Sequence, residues 1–143
     1  MQIYLAKTAG FCFGVDRAVS LVEQAIRDGK RAVTLGPIIH NRHVVERFAR
    51  LGVREIASPD EAQPGETVIL RAHGVEKTMQ EELAARGLEV IDATCPFVEK
   101  IHWIVQKAER EGRRCLIIGT PEHPEVRAIA SFCTGPVVLQ SAE

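Results

Sequence analysis

At 143 residues, with 45% hydrophobic and 26% charged residues, the chain has the size and composition for one ordinary domain, or a small domain with part of another, around a packed core. A formal net charge of −1 gives the molecule no long-range attraction for nucleic acid or an anionic membrane, so any anion must be held by a local constellation. No stretch approaches the ~18 apolar residues of a membrane span, and Met1–Ala6 lacks a signal peptide's basic start and long apolar run, so the expected compartment is the cytoplasm, where cysteines stay reduced.

Ile3–Ala6 reads as a first short buried strand. Val15, Ala18, Val19, Val22 and Ile26 then recur with helical period, and the segment stops at Gly29. Ala32–Leu35 is the next strand, followed by a helix with Val44, Val45, Phe48 and Leu51 on one face and Gly52 at its end. Strand Thr67–Leu70 leads to a helix on Val75, Met79 and Leu83 that ends at Gly87. Strand Glu89–Ile91 leads to a fourth, on Phe97, Ile101, Ile104, Val105 and Ala108, ending at Gly112. Cys115–Ile118 and Pro136–Leu139 are the last strands, with a helix over Glu125–Phe132 between them. Strands alternating with helices of this length predict an α/β fold of repeated βαβ units and mostly parallel sheets. The expected division is a first unit over 1–96 and an incomplete second over 97–143. The closing Ser141-Ala142-Glu143 reads as the cap and first turn of a helix that does not follow, as expected of a fragment.

The chemistry-bearing residues fall where strands give way to helices. Cys12 and Cys95 lie in Ala9-Gly10-Phe11-Cys12-Phe13-Gly14-Val15 and Asp92-Ala93-Thr94-Cys95-Pro96-Phe97-Val98. A thiol at a helix N-terminus meets unpaired amides and a positive dipole end, which favour the thiolate that metals need. His40, His73 and His123 hold similar places after Leu35-Gly36, Leu70-Arg71-Ala72 and Ile118-Gly119, a weak internal echo. In an α/β fold the carboxyl ends of the strands form the edge where ligands bind. Two thiols and three imidazoles at such an edge suggest a metal or cluster site beside an anion site, and imidazolium groups suit a phosphate. Glu125 is either an ordinary first-turn helix acid or a proton donor in the crevice. Cys115 and Cys133 read as packing residues, and His43 and His102 as ordinary helix histidines. No G-x-G-x-x-G, G-x-x-x-x-G-K-[ST] or G-x-S-x-G pattern occurs, which disfavours a nicotinamide enzyme, a nucleotide hydrolase and a serine esterase.

Five ordered blocks, Ala9-Gly10-Phe11-Cys12-Phe13-Gly14-Val15-Asp16-Arg17-Ala18-Val19, Leu35-Gly36-Pro37-Ile38-Ile39-His40-Asn41, Arg71-Ala72-His73-Gly74-Val75, Asp92-Ala93-Thr94-Cys95-Pro96-Phe97-Val98 and His123-Pro124-Glu125-Val126, together resemble the 4-hydroxy-3-methylbut-2-enyl diphosphate reductase family of the non-mevalonate isoprenoid pathway. The resemblance implies α/β units around a [4Fe–4S] cluster held by three cysteines, with Cys12 and Cys95 matching two of them. It implies that His40, His73 and His123 line the pocket of an allylic diphosphate substrate and that Glu125 serves in protonation. It also implies a ferredoxin- or flavodoxin-type electron donor, and isopentenyl and dimethylallyl diphosphate as products. Departures are Arg127-Ala128 after Val126, where the family usually has a variable residue and then glycine, and Gly119-Thr120-Pro121-Glu122 before His123, where the family usually starts Gly-Asp. Neither Cys115 nor Cys133 stands in the motif of the third ligand, so the chain alone is expected to hold no stable cluster and to be inactive. Two other readings compete. One is a non-catalytic metal- or phosphate-binding α/β module using Cys12, Cys95 and histidines around zinc. The other is a scaffold without a site.

Overall fold

The structure is a computed structural model that describes residues 2–141; Ala142 and Glu143, part of the expected terminal helix turn, lie outside the described residues. Its order is α1 (Phe13–Arg27), β1 (Arg31–Leu35), α2 (Arg42–Arg50), β2 (Arg54–Ile56), a 3₁₀ turn (Pro59–Glu61), β3 (Glu66–Leu70), α3 (Lys77–Ala85), β4 (Glu89–Asp92), α4 (Pro96–Arg110), β5 (Leu116–Ile118), α5 (Pro124–Ala130) and β6 (Val137–Leu139). Every strand pairing is parallel, in a four-stranded sheet of order β2-β1-β3-β4 and a two-stranded sheet of β5 and β6. The α/β class expected from the alternation is the class observed.

The four-stranded sheet is covered on both faces, and the two-residue period of its strands assigns each side chain to a face. Ala32 and Ile69 join Ala18, Val22 and Ala25 of α1 and Val44 and Phe48 of α2 on one side. Val33, Leu35, Val68 and Leu70 join Ile56, Val75 and Leu83 on the other. Central β3 is buried at all five positions, a Glu included. Glu66 is tolerated there because Arg54 Nη2 donates to it at 2.9 Å and the Gln63 N–H at 2.7 Å. Burial works to raise its pKa, but those bonds and the charges of Arg54 and Arg31 hold it below the usual carboxylate range. Full burial of each aliphatic side chain in these layers contributes about 1.5–3 kcal/mol.

The smaller sheet is covered on one side only. Cys115, Ile117 and Cys133 pack against Val105, Ile129 and Phe132, while Leu116 and Ile118 remain 61% and 63% exposed. Helix α5 crosses from β5 to β6 and is tied to the larger unit by an Arg127–Glu76 ion pair at 2.6 Å and by the Lys77 N–H donating to Ser131 Oγ at 2.9 Å.

Several expectations are corrected. Ile3–Ala6 forms no strand, and Ile3, Tyr4 and Leu5 are more than 80% exposed, because the segment pairs with no sheet edge in the described structure. Strand β2 has no apolar run to announce it, since only Ile56 of its residues is buried. On α4 the buried stripe is Val98, His102 and Val105, one residue round from the expected face; Phe97, Ile101 and Ile104 are exposed. Helix α3 begins two residues after Val75, which is buried ahead of it. Cys115 precedes β5, outside the strand expected to contain it, and α5 ends at Ala130, short of the expected Phe132. Among the described residues no helix is long and apolar enough to cross a membrane.

Candidate active site

The strand order sets three turns side by side, and the backbone ladder continues past the strand ends to fix their spacing. The Ala72 N–H, after β3, donates to Ile38 O in the turn after β1 at 3.0 Å. The Cys95 N–H, after β4, donates to Ala72 O at 2.9 Å. One turn carries His40, the next His73 and the third Cys95. Arg71 runs between the first two: its Nε donates to Gly74 O at 2.9 Å, and its Nη1 lies 2.6 Å from where a Cβ on Gly36 would stand. Gly36, at φ +73°, meets both demands, a left-handed backbone and room for the guanidinium.

The three histidines meet. The ring centroids of His40 and His73 are 4.1 Å apart, and His123 stands 5.8 Å from the first and 6.3 Å from the second. Burial pushes the His73 imidazole down to about 4, with help from His40, Arg71 and His123. His73 is therefore neutral at neutral pH, unlike the imidazolium expected for an anion site. Its Nδ1 is buried with no hydrogen-bond partner. His123 is the N-cap of α5, and its Nδ1 accepts the Glu125 N–H at 3.2 Å. In the neutral ring that bond leaves the proton on Nε2. Glu125 thus lies in the first turn of α5, with its backbone fastened to the third histidine.

Cys12 and Cys95 are the N-cap residues of the two 15-residue helices, α1 and α4, and neither thiol makes a side-chain cap bond. Cys12 does not sit at the end of a strand, since none precedes it. Helix α1 reaches Cys95 by another route. Arg17 Nη1 donates to Thr94 O at 3.0 Å and Nη2 to Asp92 O at 3.1 Å, bridging the start of α1 to the turn that ends at Cys95. Asp92 Oδ1 accepts the Thr94 N–H at 2.8 Å and stiffens that turn. A Cβ on Gly14 would lie 2.4 Å from Cys95 Sγ, so the second cysteine rests on the bare backbone two residues past the first. Thr94 Oγ1, next to Cys95, is buried and unpartnered. Two uncapped thiols, a glycine cradle and an orphaned hydroxyl suit a bulky soft group at this end of α1. Among the described residues no group of three or more His, Cys, Asp or Glu is placed to hold a metal ion.

The remaining candidates sit elsewhere. Cys115 and Cys133 are free and partly buried on the small sheet, and His43 is exposed. His102 is buried and stacks on Phe132 at 4.3 Å between ring centroids, and burial lowers its pKa. Arg17, Thr94 and Arg71 were not singled out from the sequence.

Comparison with known proteins gives one consistent picture. The family model described as LytB protein matches residues 3–143. The chain is 44% identical over 142 residues to a 4-hydroxy-3-methylbut-2-enyl diphosphate reductase of Citrifermentans bemidjiense, covering 99% of this chain and 50% of that protein. A reductase of the same name from Geobacter sulfurreducens is 44% identical over 144 residues, with 100% and 51% covered. The chain therefore spans about half the length of the curated relatives it matches. Among solved structures, an (E)-4-hydroxy-3-methyl-but-2-enyl diphosphate reductase, the terminal enzyme of the non-mevalonate pathway, aligns with a TM-score of 0.81 at 41% identity, over 98% of this chain and 51% of that one. The Plasmodium falciparum E-1-hydroxy-2-methyl-but-2-enyl-4-diphosphate reductase aligns with a TM-score of 0.90 at 30% identity, over 96% and 44%.

Proposed function

This chain belongs to the LytB protein family, and from that we propose that the protein carrying it removes the allylic hydroxyl of (E)-4-hydroxy-3-methylbut-2-enyl diphosphate, giving isopentenyl and dimethylallyl diphosphate. What supports the reading is the meeting of His40, His73 and His123 beside a turn that ends at Cys95. Residues 1–96 form the first α/β unit of the enzyme, and residues 97–143 part of a second.

Cys12 and Cys95 would be two of the three thiolates that hold a [4Fe–4S] cluster, the third coming from outside the motifs of this chain. Such a cluster, bound by three thiolates, supplies an open iron as a Lewis acid and a route for two electrons from a ferredoxin- or flavodoxin-type donor. The chain's own residues do the binding and the proton work. His40, His73 and His123 grip the diphosphate, the last through Nε2 because its Nδ1 is already occupied. Binding energy from that non-reacting end orients the carbon chain and its hydroxyl. Hydroxide leaves poorly, so Glu125, in its acid form, delivers a proton to the departing oxygen. Neutral His73 adds no buried charge beside Arg71 before the substrate arrives, and the diphosphate's charge favours its protonation once bound. The enzyme works in the cytoplasm, where Cys12 and Cys95 stay reduced.

We further propose that the 143-residue polypeptide alone retains no durable cluster, for want of the third thiol. The test is anaerobic iron–sulfide reconstitution of the chain and of the longest in-frame polypeptide containing it, followed by a substrate-consumption assay with reduced viologen. The longer polypeptide is expected to be brown and active. Cys12→Ser or Cys95→Ser is expected to abolish iron retention, and Glu125→Gln to lower turnover ~10²–10⁴-fold with the cluster intact. Colourless protein with stoichiometric zinc would establish the zinc-binding module instead, and full activity of the 143-residue chain would overturn the two-thiol reading.

A further inference from the structure

Two cysteines that the proposed reaction does not use pack against one apolar cluster beside the small sheet. Cys115 immediately precedes β5, and its backbone carbonyl accepts the Val137 N–H at 3.0 Å as β6 begins. Cys133 comes three residues after Ala130, the last of α5. Both side chains are partly buried against the same three residues, Val105, Ile129 and Phe132, near enough for the charge of Cys115 to act on Cys133. Each thiol has otherwise only a long contact to a backbone carbonyl, Cys115 Sγ to Val105 O at 4.0 Å and Cys133 Sγ to Ala130 O at 3.7 Å. Neither is held by a strong partner that would have to be broken for the sulfurs to react.

We propose that Cys115 and Cys133 form a redox-active dithiol that closes to a disulfide by exchange with a low-molecular-weight disulfide of the glutathione type. Closure staples the start of β5 to the segment after α5, and the helix enclosed by that loop carries His123 and Glu125. Burial pushes the Cys133 thiol up to about 11, with contributions from Cys115 and the charge of Glu109. A thiol so raised is a poor first nucleophile, which fixes the order of events. Cys115 loses its proton to solvent and attacks one sulfur of the small disulfide, releasing one small thiol and leaving a mixed disulfide on Cys115. That step removes the Cys115 charge that holds the Cys133 proton in place. Cys133 then deprotonates and attacks Cys115 Sγ, releasing the second small thiol. Two S–H bonds are broken, one protein S–S bond forms, and the small disulfide takes up two electrons and two protons.

The inference does not depend on the proposed reductase activity, and its test is separate from that one. The folded 143-residue chain is equilibrated with mixtures of glutathione and glutathione disulfide, alkylated, digested and mapped by mass spectrometry. The expected product is a Cys115–Cys133 linked peptide pair, with the intact mass lower by two hydrogens, formed at an unchanged rate in a Cys12→Ser/Cys95→Ser chain. Cys133→Ser is expected to trap a glutathione adduct on Cys115, and Cys115→Ser to trap less of one on Cys133, because burial still disfavours the Cys133 thiolate once Cys115 is gone. The proposal is overturned if both thiols stay alkylatable at redox ratios that oxidise Cys12 or Cys95. Pairing of either one with Cys12 or Cys95, an adduct that accumulates on Cys133, or closure only in urea overturns it equally.

Discussion

The two sheets of this molecule are written in the same alphabet and packed to different depths. Glu-Thr-Val-Ile-Leu of β3 is buried at every position, whereas Leu-Ile-Ile of β5 leaves its first and last residues exposed. The difference lies in what stands opposite. Helices α1 and α2 cover one face of the larger sheet and α3 the other, while the smaller sheet has helical cover on one side only. An apolar run therefore tells that a strand exists, and the neighbours decide what that strand contributes. The site straddles this divide: Cys95, His40 and His73 stand on turns of the well-covered sheet, and His123 and Glu125 on the sparsely covered one.

The strongest way to break the comparison is truncation at its extremes. Ile69→Ala, on the central strand, is expected to lower stability by about 2–5 kcal/mol in urea unfolding, through lost burial and a residual cavity. Leu116→Ala, its counterpart on the smaller sheet, must cost far less for the contrast to survive. Gly14→Ala comes next, at about 1–3 kcal/mol, because the new methyl would collide with Cys95 Sγ. A changed alkylation rate at Cys95 is the accompanying readout, and an unaffected thiol would show that the cradle is not as tight as described.

Arg17→Ala is expected to cost ~1–3 kcal/mol by removing charged donors from two carbonyls. Hydrogen exchange at the Cys95 amide should accelerate while exchange at Leu116 stays as it was; parallel acceleration at both would mean that Arg17 supports the whole molecule and not this turn.

Acid probes the larger sheet's share of the histidine cluster. Unfolded, His73 takes up a proton near 6.5; folded, it does so only at about 4. Its contribution is full above the unfolded value and is lost as pH falls from about 6.5 toward 4. The expected loss is on the order of 1–2 kcal/mol, flattened in His73→Asn, and a His73 ring resonance titrating near 6.5 would contradict it. Smallest of all is Leu116→Ala, expected within ~0.5 kcal/mol of the parent by the same unfolding measurement. A cost matching that of Ile69→Ala would erase the distinction between the sheets.

Much of this was legible from the chain alone, and the failures have physical causes. The stripe of α1 could be read because its helical period runs unbroken, and the strands around Val33 and Val68 because their apolar runs do. The face of α4 could not: Phe97, Ile101 and Ile104 have the same spacing as Val98, His102 and Val105, and a buried histidine counts as polar in any pattern. Ile3–Ala6 has a strand's composition, but pairing needs an edge, which composition does not encode. The convergence of the histidines followed from their shared position after strands, whereas the neutrality of His73 depends on burial and on neighbours distant in sequence. Arg17 left one faint trace. Arg27, Arg42 and Arg86 each have a helical acid four residues away, and Arg17 has none, which marks a cation whose partners lie outside its own helix.

Ala72 has no chemistry of its own, yet it offers its amide to the loop of His40 and its carbonyl to the loop of Cys95. It works as the pin that indexes two reactive parts of the surface to each other. Side chains hung from either loop can be exchanged without disturbing that alignment. A proline in its place would strip out the amide and let the imidazole loop drift relative to the thiol, with every functional side chain still present.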